Sequence, residues 1–397
     1  MVKIYRSFYP LIGISFFGNV LLIFNFFTGL NKIPIFLFFL ILFLFSLFKN
    51  FKILSDYKLY FFNLSILLIS GCSTLDSLRF WQNDEVDPEE PKELSSFASQ
   101  ENIKVLWRNS YNGENEIGNF LPSFNAQNIF FSDASGNVLS MDAKTGNDNW
   151  SVKLNFLASG TSAGFGIVVV ADVDGNVIAL DQIDGSVLWS SNVKGEVLSS
   201  VAIDAKIVVV KTGSGELLGL NKDSGEVIWS YRSTLPVLTI RGNSSPVIVD
   251  NLVYASFDNG RLGVFELNSG FQIWDGAISY VSGASELENL IDSDSNPVIE
   301  GGLIYTTNYQ GNLNIFDPSQ KRSVWSNNAS SFFSPIISRG MLMVVEENSS
   351  IKSFALKTLE ESWINSDYLN RDLSNGVSYK DNIVVGDFEV MCMLLIF

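Results

Sequence analysis

Short apolar segments separated by polar turns recur over most of the chain beyond residue 128. In one unit, Ile167–Asp172 is apolar and β-branched, Asn176–Asp181 alternates apolar and polar residues, and Ser186–Trp189 is again largely apolar. Asp174-Gly175 separates the first two segments, and such pairs favour tight turns because glycine accepts positive φ. The pattern predicts three short strands per unit, and a fourth precedes each unit, as at Ser199–Ile203 before the next one.

Tryptophans mark the period of this repeat. Their spacing averages about 43 residues, and the seven that mark it are Trp107, Trp150, Trp189, Trp229, Trp274, Trp325 and Trp363. Four strands in each period of about 40 residues predict an all-β fold, a β-propeller of four-stranded blades. A parallel β-helix would need much shorter rungs, and helical repeats would show a 3.6-residue pattern that is missing here. We expect each tryptophan to pack between neighbouring blades; a role as an aromatic ligand platform is the alternative.

One position of the repeat carries an acidic residue or its amide just before the second turn. Its members are Asp142, Asp181, Asn221, Glu266 and Asp317. A ring of carboxylates is one interpretation, but an asparagine interrupts it. Because all five residues occupy the same place beside a turn, we expect their side chains to stabilise that turn.

The first 71 residues differ from the repeat region because they are strongly apolar and basic. Phe8–Leu30 is about as long as a membrane-spanning helix, and Ile33–Phe48 is a shorter apolar run. Leu59–Ser70 follows several lysines and ends in small residues, as secretory signals do. We therefore expect hydrophobic helices in an N-terminal extension, 1–57, followed by a signal-like segment, 58–71. The extension is either a membrane hairpin or upstream sequence that does not belong to the native product.

The signal-like segment ends in Leu68-Ile69-Ser70-Gly71-Cys72, which resembles a bacterial lipobox. The resemblance implies cleavage before Cys72, a diacylglycerol on its thiol and an acyl chain on its new amino group. Several buried chains would anchor the protein stably in a membrane, and Ser73 after the cysteine implies the outer membrane. Residues 72–102 would then hold the lipidated cysteine and an acidic tether. The alternative is that Cys72 is an ordinary small residue that ends a transmembrane helix.

Composition and charge narrow the possible chemistry. The 397 residues carry a formal net charge of −16 and no histidine, which excludes histidine triads, histidine metal sites and histidine bases. Residues 72–397 hold 20 basic and 41 acidic residues, a net charge of −21, which argues against a nucleic-acid partner. Cys72 and Cys392 are too few for a disulfide scaffold or a thiolate zinc site.

The glycine, leucine and tryptophan spacing of Gly175–Trp189 and Gly215–Trp229 resembles the pyrroloquinoline-quinone (PQQ) type of propeller repeat. Two families combine this repeat with a signal peptide: quinoprotein dehydrogenases, and the lipoprotein subunit of the outer-membrane β-barrel assembly machine, the BamB family. The enzymes use a vicinal cysteine pair, a Ca²⁺ site and a catalytic aspartate. This chain has only Cys392 after Cys72, so the resemblance to the enzymes is limited to the repeat.

The resemblance to the BamB family covers roughly residues 105–387 and includes segments outside the regular repeat. These segments are Leu106-Trp107, Ile117–Phe120, Leu238–Pro246 and Glu286–Asp294. In that family two such loops contact a periplasmic domain of the barrel-inserting subunit. The positions implied here are Leu238, Ile240, Arg241, Asp292 and Asp294. The alternative is that the two apolar residues fill a blade core while the arginine pairs internally with an aspartate.

The family resemblance implies a non-catalytic scaffold, without a cofactor, that assists the folding and insertion of outer-membrane proteins. Its expected partners are the barrel-inserting subunit, unfolded outer-membrane proteins bound at strand edges, and the membrane, on whose periplasmic face a lipid would anchor it. A PQQ-dependent periplasmic dehydrogenase and a generic protein-interaction propeller remain the alternatives.

The family closes its ring with eight blades, whereas residues 103–397 provide about six complete blades and partial ones. A seventh unit opens at Ile383, but Glu389–Phe397 lacks the turn glycine. We therefore expect the chain to leave the repeat there and the propeller to be truncated at its C-terminal side.

Overall fold

The computed structural model describes residues 89–94, 104–110, 120–234, 244–278, 295–380, 382–389 and 392–396. All of them belong to one compact unit, Asp87–Phe397. The expected N-terminal helices, the signal-like segment and Cys72 lie outside the described residues. Within these ranges, no helix has the length and apolar character needed to cross a bilayer.

In the part of the chain that the structure describes, six antiparallel sheets have four strands and one has three. Each sheet is built from consecutive strands in chain order, so each is one blade. Blade one is β1 (Ser123–Asn125), β2 (Asn128–Ser132), β3 (Asn137–Asp142) and β4 (Asp148–Lys153); blade two is β5 (Ser162–Gly164), β6 (Ile167–Ala171), β7 (Asn176–Asp181) and β8 (Val187–Asn192); blade three is β9 (Ala202–Ile203), β10 (Ile207–Lys211), β11 (Glu216–Asn221) and β12 (Val227–Arg232); blade four is β13 (Val247–Val249), β14 (Leu252–Phe257), β15 (Arg261–Glu266) and β16 (Gln272–Ala277). Blade five is β17 (Val298–Glu300), β18 (Leu303–Thr306), β19 (Asn312–Asp317) and β20 (Arg322–Asn328); blade six is β21 (Ile336–Ser338), β22 (Met341–Val345), β23 (Ile351–Ala355) and β24 (Glu361–Asn365); blade seven is β25 (Val377–Tyr379), β26 (Asn382–Gly386) and β27 (Cys392–Ile396).

The first strand of each blade lies innermost and the fourth lies outermost. First strands of neighbouring blades contact one another, as between β1 and β5, β5 and β9, β9 and β13, and β21 and β25. The middle strands are the most buried, and every residue of β6 and β10 is buried. In the fourth strand β8, Trp189 is buried while Val187 and Leu188 are exposed. This arrangement confirms the expected all-β propeller of six complete blades and a partial one.

The interfaces between blades one and two, two and three, and three and four repeat one contact between a tryptophan and a glycine. Trp189 of blade two donates its Nε1–H to the carbonyl of Lys222 in blade three, at 2.7 Å. Gly225, with φ of +73°, passes so close to the indole that an added Cβ would lie 2.5 Å from Cε3 of Trp189. The same contact joins Trp107 to Gly146, Trp150 to Gly185, and Trp229 to Gly270. The expectation that the tryptophans pack between blades is confirmed.

Blade seven corrects the expectation that the chain leaves the repeat at Glu389. Cys392–Ile396 forms a third strand that pairs antiparallel with β26, and Gly386 lies opposite Cys392. The offset is the one found in blade two, where Ala171 lies opposite Val177. The expectation was wrong because it depended on a turn glycine, whereas here Asp387 Oδ1 accepts a hydrogen bond from the Glu389 amide at 3.1 Å.

Candidate partner-binding surface

The turns between second and third strands share one rim of the propeller with the connections between blades. This follows from the antiparallel order, since the fourth strand ends where the second strand ends. Hydrogen bonds join the two kinds of loop: Val173 N–H donates to Phe156 O at 3.1 Å, and Gly213 N–H donates to Glu196 O at 2.8 Å. We call this end of the blades the loop rim.

The residues that the sequence assigned to partner binding belong to two connections on the loop rim. Leu238, Ile240 and Arg241 lie between β12 and β13, and Asp292 and Asp294 lie between β16 and β17. All five are outside the described residues, so their contact with a partner stays a prediction. The structure does describe the stems from which both connections leave and rejoin the blades.

Both connections rejoin the blades at a buried serine. Ser244 donates its hydroxyl hydrogen to Ser256 O at 3.2 Å. Ser295 donates to Thr307 O at 2.6 Å and accepts the amide hydrogen of Thr307 at 3.2 Å. Each hydroxyl binds the end of the second strand of the following blade, so the points where the two loops rejoin the fold are held in place.

The two stems are joined directly to each other. Ser245 N–H donates to Asn296 Oδ1 at 2.6 Å, although the residues are 51 positions apart in the chain. The amide of Asn296 in turn donates to Ser334 Oγ at 2.9 Å, in the next connection of the rim. The segments that hold Arg241 and Asp292 therefore rejoin the fold side by side, which no local sequence pattern indicated.

A buried lysine, missed by the sequence analysis, supports the first of these stems. Lys211 is 5% exposed and reaches from blade three into blade four, where its Nζ donates to Ser256 O at 3.1 Å and to Ser244 Oγ. The sequence does single this lysine out, because Lys211 is the one charged residue in the apolar run that begins at Ile207. The Lys211 side chain thus links blade three to the stem at which this connection rejoins the fold.

Aromatic side chains on the loop rim give it the mixed character of a protein interface. Tyr309 and Phe332 stack with their ring centroids 4.3 Å apart and their planes inclined by 14°. Phe156 is 68% exposed and Phe388 is 50% exposed. Exposed aromatic rings beside anchored polar loops are typical of the centre of a protein–protein contact surface.

The repeated acidic position lies on the opposite rim and stabilises turns, as expected. Asp142 Oδ1 accepts the amide hydrogens of Lys144 and Thr145 at 3.0 and 2.8 Å. Asn221 makes the same contacts through Oδ1, with the amides of Asp223 and Ser224 at 2.9 and 3.0 Å. The donors hold the pKa of Asp142 below its usual value, the Thr145 amide contributing most. Because the side-chain amide of Asn221 stabilises its turn as the carboxylate of Asp142 does, this position does not require an ionisable side chain.

No group of three or more acidic, cysteine or histidine side chains that could hold a metal ion occurs among the described residues.

An ion pair is buried on the loop rim beside blade seven. Arg371 donates to Asp387 Oδ2 from Nη2 at 2.7 Å and from Nε at 3.0 Å, and its guanidinium lies 5.0 Å from the centre of the Phe388 ring. The bond to Asp387 raises the pKa of Arg371. The sequence analysis did not identify this pair.

Consecutive antiparallel blades, locked by a tryptophan against the next blade, place the chain among the β-propellers with PQQ-type repeats. The family model of the outer membrane protein assembly factor BamB matches residues 134–365. The outer membrane protein assembly factor BamB of Yersinia pestis is 32% identical over 339 residues, which cover 82% of this chain and 84% of that protein. The chain belongs to the BamB family.

Solved structures agree on the fold. The crystal structure of BamB from Moraxella catarrhalis superposes with a TM-score of 0.66 over 69% of this chain and 84% of that chain, at 24% identity. A europium-containing methanol dehydrogenase superposes with a TM-score of 0.54 over 73% of this chain and 76% of that chain, at 13% identity. At these identities the likeness extends to the propeller fold alone, so the enzyme carries no argument about activity.

Proposed function

We propose that this protein is a non-catalytic scaffold subunit of the outer-membrane β-barrel assembly complex, where it assists the folding and insertion of outer-membrane proteins. Membership of the BamB family supports the proposal, since its relatives are named outer membrane protein assembly factors. The hydrogen bond between Ser245 and Asn296 is the structural observation that supports it, because it joins the two stems at which the predicted contact loops rejoin the propeller.

The barrel-inserting subunit is the proposed partner, bound through its periplasmic domain. Leu238 and Ile240 supply apolar area, Arg241 can form a bidentate pair with a carboxylate, and Asp292 and Asp294 can bind a basic residue. The stacked pair Tyr309 and Phe332 lies on the same rim and adds aromatic contact area. Unfolded outer-membrane proteins are a second proposed partner, through pairing with exposed strand edges.

Cys72 is the proposed site of lipidation, with the protein on the periplasmic face of the outer membrane. Mass spectrometry of the N-terminal peptide of the mature protein tests this directly. We expect a peptide that begins at Cys72 and carries three acyl chains, whereas an unmodified Cys72 would contradict the anchor.

Partner binding is tested by a pull-down of the barrel-inserting subunit with the purified propeller. Arg241→Glu should reduce recovery at least tenfold, since a reversed charge in a contact loop repels the carboxylate that an arginine attracts. Arg322→Glu is the matched control, because Arg322 is exposed and begins the outer strand β20, at the rim opposite the loop rim. Equal recovery with both variants would refute the proposed interface.

The geometry of the stems provides a second variant. Asn296→Ala removes the acceptor that binds Ser245 but changes none of the five predicted contact residues. We expect several-fold weaker binding with unchanged thermal stability, because the loops lose their common anchor. Reduction of an electron-accepting dye by the purified protein with pyrroloquinoline quinone and Ca²⁺ would support an enzyme instead, and we expect none.

A further inference from the structure

Residues 89–94 lie against the connection between blades six and seven, although the hydrogen-bonded residues are 274 to 280 positions apart in the chain. Lys92 N–H donates to Leu369 O at 3.0 Å, and its Nζ binds Ser366 O at 3.0 Å and Asp367 Oδ1 at 3.2 Å. Asn370 Nδ2 donates to Glu90 O at 3.3 Å. Hydrogen bonds along the backbone and from side chains thus hold this segment, which we call the strap.

An apolar contact holds the end of the strap. Leu94 packs against the core cluster shared by blades six and seven, which includes Ile336, Met343 and Leu373. Partial burial of this leucine removes apolar surface from water, which favours docking of the strap. The strap therefore has the combination of polar and apolar contacts of a docked segment.

Arg371 fastens the strap to the buried ion pair of blade seven. Its Nη1 donates to Lys92 O at 3.0 Å while Nε and Nη2 bind Asp387. Its Nη2 also binds Glu389. The arginine side chain is 5% exposed and that of Asp387 is fully buried, so the charge that holds the strap is itself fixed in position.

The place where the strap docks limits how far the propeller can lie from the proposed anchor at Cys72. Sixteen residues, 73–88, separate Cys72 from the strap, and a fully extended chain of this length spans at most about 60 Å. Without the strap, the next described contact of this part of the chain is that of Trp107 with Ala143 O in blade one. The maximum span to Trp107 is about 120 Å, twice as long.

We propose that the strap, fastened by Arg371, orients the propeller by holding its blade six and seven side towards the lipid surface. This inference rests on the proposed lipidation of Cys72, whereas the docking of the strap does not. The partner in this proposal is a bilayer surface, reached through a tether whose exit point from the propeller is fixed.

The docking is tested with the full lipidated protein by hydrogen exchange. The variant Lys92→Glu/Leu94→Asp places a negative charge beside Asp367 and an acid in the apolar contact, and it leaves Arg371 and Asp387 unchanged. We expect the backbone amide of residue 92 to exchange at least tenfold faster in this variant than in the unaltered protein. The matched control is Lys104→Glu/Leu121→Asp, because both residues are exposed and outside the strap. Equal exchange rates of the residue 92 amide in the variant and in the control would contradict the docking of the strap.

The orientation is tested on vesicles of Escherichia coli lipids that carry a lipid-bound quencher. Two single-cysteine variants are prepared in a Cys392→Ser background, and each carries one fluorophore. The first is labelled at Lys380→Cys in blade seven, and the second at Lys206→Cys, in the equivalent exposed turn of blade three. We expect at least twofold stronger quenching at blade seven, and equal quenching once the strap variant is introduced. Stronger quenching at blade three, or a ratio that the strap variant leaves unchanged, would overturn the orientation.

The anchor and the orientation fail in different ways. If Cys72→Ser still binds the vesicles, the proposed lipidation is wrong, and with it the tether length and the orientation. The exchange rate of the Lys92 amide does not depend on lipid and would still decide whether the strap is docked. The pull-down with Arg241→Glu is independent of both measurements, since Arg241 is in another connection.

Discussion

Replacement of Gly225 by alanine tests whether the tryptophan–glycine contact holds neighbouring blades together. The added Cβ would lie 2.5 Å from Cε3 and 2.8 Å from Cδ2 of Trp189, where carbon atoms normally stay at least 3.5 Å apart. Gly225 also has φ of +73°, a conformation that costs an alanine about 1–2 kcal/mol. Relief of the overlap requires a shift of the indole or of the blade, which costs about 1–3 kcal/mol. We therefore expect Gly225→Ala to lower the free energy of unfolding by about 2–5 kcal/mol.

The control for the backbone cost is Gly340→Ala. Gly340 has φ of +75° and no atom within 4 Å of an added Cβ. Gly340→Ala therefore lowers the free energy of unfolding only through the cost of the left-handed conformation. Urea unfolding of both variants, with the midpoint compared at constant slope, isolates the contact with Trp189 as the difference. An equal loss in the two variants would refute the reasoning.

A double-mutant cycle identifies the indole as the cause. Trp189→Phe removes part of the ring system that the added Cβ of Gly225→Ala would overlap. The double variant should therefore lose less stability than the sum of the losses in the two single variants. We expect a difference of at least about 0.5 kcal/mol, the size found for residues in contact. Trp189→Phe alone also loses the hydrogen bond to Lys222 O. Strict additivity would show that the strain lies elsewhere.

Three further outcomes are expected. Lys321 occupies the glycine position of blade five with φ of 54°, so Lys321→Gly should raise the urea midpoint, by about 0.5–1 kcal/mol in stability, and a lowered midpoint would contradict this. Ser295→Ala should destabilise the protein by about 1–3 kcal/mol because it leaves the buried amide and carbonyl of Thr307 without this partner, whereas exposed Ser190→Ala should change stability by less than about 0.5 kcal/mol. Burial alone would raise the pKa of Asp133, but the hydrogen bonds of its turn outweigh this and lower it. Its contribution to stability is therefore present at neutral pH and lost as the pH falls below about 4, so Asp133→Asn should flatten the decrease in urea midpoint between pH 5 and 3, and parallel curves would argue against it.

The features that the sequence predicted well are local and periodic. Asn176–Asp181 forms a strand with the expected bounds, because alternation and the flanking turns specify it within a few residues. Ser186–Trp189 was expected as the last strand, and the strand is Val187–Asn192 instead. A bulge opposite Ala179 and Leu180 shifts the pairing, and such a shift depends on two strands together.

The features that the sequence did not predict join residues far apart without a period. Arg371 binds Lys92 O across 279 positions, and Ser245 binds Asn296 across 51. The contact of Arg371 with Lys92 has no equivalent at another blade in the described residues, so comparison of the repeats with one another could not reveal it. The contact of Ser245 is repeated once, between the Asn296 amide and Ser334 Oγ, but it depends on how neighbouring blades pack and not on a spacing within one repeat. The expected contact residues such as Arg241 came from family resemblance alone, and their positions lie outside the described residues.

The strap also determines where a mechanical load enters the propeller. A pull transmitted along the chain from its N-terminal side reaches Glu90 and Lys92 before it reaches Trp107, so tension passes first into Arg371 and the rigid ion pair with Asp387. The contact of Trp107 with blade one bears no tension until the strap has detached from the propeller. With the proposed anchor at Cys72, a pull from the membrane would thus load blade seven first, and blade one only after the strap has detached.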